Sequence, residues 1–171
     1  MVAKAPYTVV NKIEDIEIRD YPDLLLAVVD DTEDTNAFGL LYNFITGGNT
    51  SKKNISMTAP VITSEQIPMV APVITKKNYM AFVMPSSFEP STVPEPTNKL
   101  VKVRTYPKKT LAVKRFKGYV TKTKKELNIT NLLTTLEKNN VTTKGEPLLM
   151  RYNSPFAPGF IRRNEVAIEI I

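Results

Sequence analysis

Ile16-Glu17-Ile18-Arg19-Asp20-Tyr21-Pro22, followed by Leu26-Ala27-Val28, recurs as Val101-Lys102-Val103-Arg104-Thr105-Tyr106-Pro107, followed by Leu111-Ala112-Val113. Spacing is the same in both copies, so the chain carries an internal repeat. Each copy alternates apolar and polar residues up to the Tyr, breaks at Pro and resumes as an apolar run. That pattern reads as two strands joined by a turn, and each copy is expected to be a β-hairpin.

Downstream of each copy lies a helical pattern, Phe38, Leu41, Tyr42 and Ile45 in the first and Ile129, Leu132, Leu133 and Leu136 in the second. Spacings of three, four and seven put each set on one stripe of a helix that can cover a sheet. Asp34, Thr35 and Asn36 at the start of the first helix and Gly47-Gly48 at its end are capping residues. Further strands are expected around Ile55 to Thr63 and Tyr79 to Met84, and around Pro147 to Tyr152 and Glu165 to Ile170.

Each half is then β-β-α-β-β and leaves one sheet face bare. The two should therefore pack about a pseudo-twofold axis into one α+β unit. Repeat one spans about residues 7–85, repeat two about 99–171, and the Pro-rich stretch 86–98 connects them within a single domain of residues 1–171. A chain of 171 residues, 42% hydrophobic, suffices for one core.

Composition removes most catalytic templates. With no His and no Cys, imidazole bases, thiolate nucleophiles, disulfides, the usual zinc sites and His-ligated haem are excluded. Asp30, Asp31, Glu33 and Asp34 fall together ahead of a helix, where a solvated turn and the helix dipole explain them. A protein that is not an enzyme is the expectation. MVAKAPYTVV lacks a signal-peptide layout and no apolar run is long enough to cross a bilayer, which suggests a cytoplasmic monomer with no membrane partner.

Charge is uneven. Residues 1–85 hold 7 basic and 10 acidic side chains (net −3), and residues 86–171 hold 16 and 7 (net +9). Lys114, Arg115, Lys117, Lys122, Lys124 and Lys125 concentrate the excess, yet no nucleic-acid signature accompanies them. The helices differ too: Ala37, Leu40 and Phe44 give the first a second apolar stripe where the other has Asn128, Asn131 and Thr135. That stripe must be covered, for example by residues 153–161, or must face a ligand.

Ile55-Ser56-Met57-Thr58-Ala59-Pro60-Val61, Phe82-Val83-Met84-Pro85-Ser86, Arg151-Tyr152-Asn153-Ser154-Pro155-Phe156 and Arg162-Arg163-Asn164-Glu165-Val166 resemble the SOUL/haem-binding-protein family. The likeness runs from about Tyr7 to Ile170. It implies a distorted β-barrel of two related halves flanked by two helices, a plan shared with gyrase-inhibitor-like effector-binding domains.

The resemblance also implies non-covalent binding of haem or another porphyrin in a shallow hydrophobic groove. That groove would be formed by Phe38, Leu41, Tyr42 and Ile45 on the first helix with Phe156 and Phe160 on the loop before the last strand. Where relatives place propionate-pairing cations, this chain has Thr35, Asn43 and Ala157, a loss of about 1.5–3 kcal/mol per anchor. Arg162 and Arg163 are candidate replacements, with at least one expected to pair with Glu165 or Glu169. No residue is assigned as an iron ligand: Met57, Met84 and Met150 read as core filling, Tyr21 and Tyr106 as structural, and Tyr42 as a ligand contact. A small-molecule effector-binding module and a protein-interaction domain are the alternative functions.

Overall fold

A computed structural model describes residues 2–52 and 64–171. The strand expected around Ile55 to Thr63, and Met57 with it, lie outside them. Along the chain run β1 (Ala3–Lys4), β2 (Thr8–Ile13), β3 (Ile16–Tyr21), β4 (Leu24–Asp30), α1 (Asp34–Ile45), β5 (Asn49–Thr50), β6 (Val70–Lys76), β7 (Tyr79–Val83), β8 (Glu95–Pro96), β9 (Lys102–Tyr106), β10 (Lys109–Lys117), α2 (Lys122–Lys138), β11 (Thr143–Arg151) and β12 (Arg163–Ile170). The class is α+β, a largely antiparallel sheet with two helices.

Neither repeated segment is a hairpin. Its two strands part company, β3 pairing with β10 and β4 with β9. Leu111 stands opposite Arg19 and Leu26 opposite Arg104, so the two crossings share one register. The reason is local. A two-residue hairpin needs backbone in the left-handed region, and Pro22, like Pro107, fixes φ near about −65°. Left-handed residues occur instead at Glu14 and Asn78 (φ 55° and 51°), between the strands of the true hairpins β2–β3 and β6–β7. The two Pro corners meet, with Lys108 N–H donating to Asp23 Oδ1 at 2.7 Å.

The main sheet runs β2-β3-β10-β12-β11-β6-β7-β4-β9, with β1 beside β6. It does not close among the described residues, which departs from the expected barrel. Its end strands are polar: β2 is exposed along most of its length, and β9 carries Lys102 and Arg104. Such residues suit an unpaired edge. β6 was not evident in the sequence because Pro72 interrupts it, and the β6–β7 register shifts between Val70 and Val73 to accommodate it.

Each helix covers one end of one face. Ala37, Leu41, Phe44 and Ile45 of α1 pack on Ala27, Val29, Met80 and Phe82, while Leu132 and Leu136 of α2 pack on Ile16, Ile18, Ala112, Val166 and Ile168. The buried stripe of α1 thus includes Ala37 and Phe44, covered by the sheet rather than by residues 153–161 or a ligand, and Leu40 packs at its margin. On the opposite face Leu26, Val28, Ala81 and Val83 form one apolar cluster and Tyr21, Leu111, Val113, Met150 and Ala167 another, with Leu24 and Ile74 touching both. Met84 and Met150 are core residues, as read from the sequence, and Met80 joins them. Among the described residues no helix is long and apolar enough to cross a membrane.

Truncating Leu132 to Ala should lower unfolding free energy by about 2–5 kcal/mol, and Leu40→Ala by clearly less, because only Leu132 is fully enclosed. Equal losses in denaturant titrations would place Leu40 in the core.

Candidate functional site

α1 presents an aromatic pair. Phe38 and Tyr42 lie one turn apart with rings stacked at 6.0 Å and 13°, and Phe38 meets Phe82 edge-on at 5.6 Å. Tyr42 is 51% exposed, whereas Leu41 and Ile45 face the sheet and are buried. Of the four α1 residues expected to line a groove, Tyr42 is exposed, Phe38 is partly buried between Tyr42 and the core, and two serve the core. The equivalent of Tyr42 in α2, Leu133, packs against its core instead.

The end of α1 is firmly fixed. Thr46 Oγ1 donates to Tyr42 O at 2.7 Å, Gly47 takes φ 118° and Gly48 N–H donates to Asn43 O at 2.8 Å. Asn49, which sequence reasoning passed over, donates through Nδ2 to Phe44 O and Glu65 O and accepts from Glu65 N–H. At the other end the N-cap position is Glu33 with no side-chain cap, and Asp34 is the first helical residue. Asp34 thus supports the helix through its dipole rather than as a cap.

The 153–163 loop leaves β11 at Arg151, opposite Val73 of β6. The chain preceding β6 returns to α1 through Ile67 N–H, which donates to Ile45 O at 2.8 Å. Loop and C-terminal end of α1 thus occupy the same end of the sheet. Phe156 and Phe160 are 94% and 80% exposed. Arg162 is turned inward on its own loop, donating to Ala157 O at 2.8 Å and to Pro155 O, with its guanidinium 4.5 Å from the Tyr119 ring centre.

Arg163 is engaged elsewhere. It donates to Glu165 Oε1 at 2.7 and 3.1 Å and to the Tyr7 hydroxyl at 3.2 Å, and lies over the Tyr152 ring. Glu165, wholly buried, also receives a two-pronged contact from buried Arg19 at 2.8 and 2.9 Å. Arg19 in turn reaches Glu17 at 2.7 Å and the Tyr21 hydroxyl at 3.1 Å, under the Tyr7 ring. Burial alone would raise the Glu165 pKa, but hydrogen bonds from Arg19, Arg163 and Tyr152 outweigh it and hold the carboxyl below its ordinary 4.5. Burial and the Glu165 charge push the Tyr152 hydroxyl upward.

The pairing of Arg163 with Glu165 is one of those the sequence reading anticipated; the burial of Arg19 is not. Its repeat mate Arg104 is half-exposed, 3.1 Å from Asp30. Alternation in IEIRDY puts Arg19 on the face of Tyr21, but nothing local says that this face is enclosed.

A separate cavity of about 190 Å³ opens on the face away from the helices, between Leu24, Leu26, Ile74, Leu111 and Met150, with Tyr21 and Tyr106 in its wall. Lys109 and Glu169, 3.0 Å apart, stand at its rim. Among the described residues no cluster of carboxylates could hold a metal ion.

The family profile described as "SOUL heme-binding protein" matches residues 2–169. No curated protein matches by sequence. Among solved structures, the EcmrR C-terminal domain is similar with a TM-score of 0.55 at 12% identity, covering 96% of this chain and 98% of that one. Two hydrolases from Listeria innocua are similar at 8% and 11% identity, with TM-scores of 0.55 and 0.57, covering 95% and 92% of this chain and 94% and 92% of theirs. At these identities the likeness concerns the fold.

Glu165→Gln should cost about 3–5 kcal/mol at neutral pH, because it removes the buried charge shared by buried Arg19 and partly buried Arg163 and leaves Arg19 only the half-buried Glu17. A depressed carboxyl pKa contributes stability above its unfolded value, and that contribution is lost as pH falls through the folded value. The gap between wild type and variant should therefore narrow only below about pH 4.5. A gap that stays constant from neutral to acid pH would contradict the charged assignment.

Proposed function

The chain belongs to the SOUL haem-binding protein family, and from that premise we propose that it binds a flat, apolar tetrapyrrole on the Phe38–Tyr42 platform without enzymatic turnover. One observation carries the reading: an exposed tyrosine stacked on a phenylalanine that is itself braced by Phe82. A preformed aromatic surface suits a planar π-system, since little ordering opposes its use. Phe156 and Phe160 rise from the loop at the same end of the sheet and are the proposed rim. The shared register of the two strand crossings supports reading the chain as two related halves.

The residues present suit the ring better than its polar parts. Arg163 is held by Glu165, Arg162 by its own loop, and Thr35 and Asn43 are neutral, so none of these four described residues is a dedicated propionate anchor. Iron has no imidazole or thiolate to meet, which leaves the Tyr42 hydroxyl as the platform's one polar group. Affinity should then come chiefly from apolar contact.

A second reading, a module for a small effector, rests on the separate cavity of about 190 Å³. That volume suits a single-ring compound, comparable to the ~150 Å³ engineered cavity that admits benzene, and is too small for a porphyrin.

Fluorescence-quenching titrations should give iron-free protoporphyrin a Kd within about tenfold of that of haem, equivalent to roughly 1.4 kcal/mol. Tyr42→Glu, at an exposed position, and Phe38→Glu should each abolish binding of both. Haem binding that far exceeds that of the metal-free ring would point to protein ligation. Unchanged binding in both variants would move the site away from α1.

A further inference from the structure

Apart from the C-terminal Ile171, the most exposed large apolar side chains among the described residues are Phe156 and Phe160, joined on the same surface by half-exposed Ile161 and Tyr119. Isolated exposed hydrophobes are ordinary, but clustered ones mark contact surfaces. This cluster is built, not frayed. Gly159 lies so close to the Tyr119 ring that an added Cβ would fall 2.4 Å from Cε2, and the Arg162 guanidinium lies 4.5 Å from the centre of that ring. Gly118 N–H donates to Arg162 O, tying the loop to the end of β10.

The loop's own polar groups are largely satisfied within it. Pro155 and Pro158 have no N–H to satisfy. Phe156 N–H donates to Ser154 Oγ, Ala157 N–H to Ser154 O, Ile161 N–H to Pro158 O and Arg162 N–H to Gly159 O, while the carbonyls of Pro155 and Ala157 accept from the Arg162 guanidinium. A tip that leaves water for hydrocarbon must pair its backbone internally, and this one nearly does.

Around the tip the charge is positive. Lys117 ends β10 beside Arg163, and α2 begins with Lys122, Lys124 and Lys125 and has no acidic residue in its first turn. Cations there oppose the helix dipole and weaken the helix. Lys124 Nζ folds back onto Lys117 O, so both lysines border Gly118 and hence the tip. Exposed aromatic rings flanked by lysines match the interface of an anionic bilayer, where rings enter the acyl boundary and ammonium groups meet phosphate. A flat protein partner of ordinary size would need about 800 Å² on this side, more than a protruding four-residue tip offers.

We propose that the 153–163 loop, with Tyr119 and the lysines at the start of α2, docks this protein reversibly on an anionic lipid surface, with Phe156 and Phe160 inserted. The same two phenylalanines are the proposed rim of the tetrapyrrole site, so docking is read with no porphyrin present, where loss of lipid binding and loss of tetrapyrrole binding are distinguishable.

Vesicle sedimentation of the full chain without added porphyrin tests it, comparing phosphatidylcholine vesicles with vesicles containing about one third phosphatidylserine. Binding is expected to the anionic vesicles, weaker in high salt, and reduced at least about tenfold, or 1.4 kcal/mol, in the double variant Phe156→Ser, Phe160→Ser. Circular dichroism should show that variant folded, because both rings are exposed. Lys122→Gln with Lys125→Gln should weaken binding and flatten its salt dependence. Failure to sediment with anionic vesicles, or sedimentation that the Phe double variant leaves unchanged, overturns the proposal. So does self-association of wild type that the same variant abolishes, which would assign the tip to a second copy of the chain.

Discussion

Everything in this fold depends on what happens at two prolines. Pro22 and Pro107 forbid the tight reversal that the alternating sequence on either side invites, so each strand pair separates and its members seek partners in the other half. One sheet then runs through both halves, with a helix over each end of one face and a shared apolar surface on the other. The corners are themselves joined, Asp23 accepting from Lys108 N–H, so the crossing is tied where it occurs.

The elements were easier to read than their partners. The stripe that names Leu132 and Leu136 as core depends only on helical spacing, and the runs ending at Val83 and Ile170 depend only on local apolar content. Which strand pairs with which is a long-range choice, and the sequence signals used for a hairpin do not distinguish a folded-back strand from one that crosses over. Pro72 concealed β6 for a related reason, since its cost is absorbed by a register shift that only the partner strand reveals.

Rotation about the α1 axis was the subtlest point. Apolar residues lie almost all round that helix, so spacing alone admits more than one buried stripe. Ala37 and Phe44 join Leu41 and Ile45 inside, which leaves Phe38 at the margin of the core and Tyr42 exposed beyond it. The arginines show the same limit: Arg19 and Arg104 occupy matched repeat positions, but only Arg19 meets a buried carboxylate, because Glu165 lies across β10 from it in one half and has no such counterpart beside Arg104. Enclosure of a charge is a property of the assembled sheet.

The central claim is that a flat ligand lies on the helix-bearing side, against Phe38 and Tyr42, and not in the cavity on the opposite face. Methyl and amide NMR spectra recorded with haemin and with its diamagnetic zinc analogue test this most directly, because the paramagnetic iron broadens signals close to it. The expected result is broadening centred on residues 38–46 and the 153–163 loop, with the Met150 methyl and Leu26 unaffected. Broadening centred on Met150, Leu26 and Ile74 would contradict it and place the ligand on the other side of the sheet.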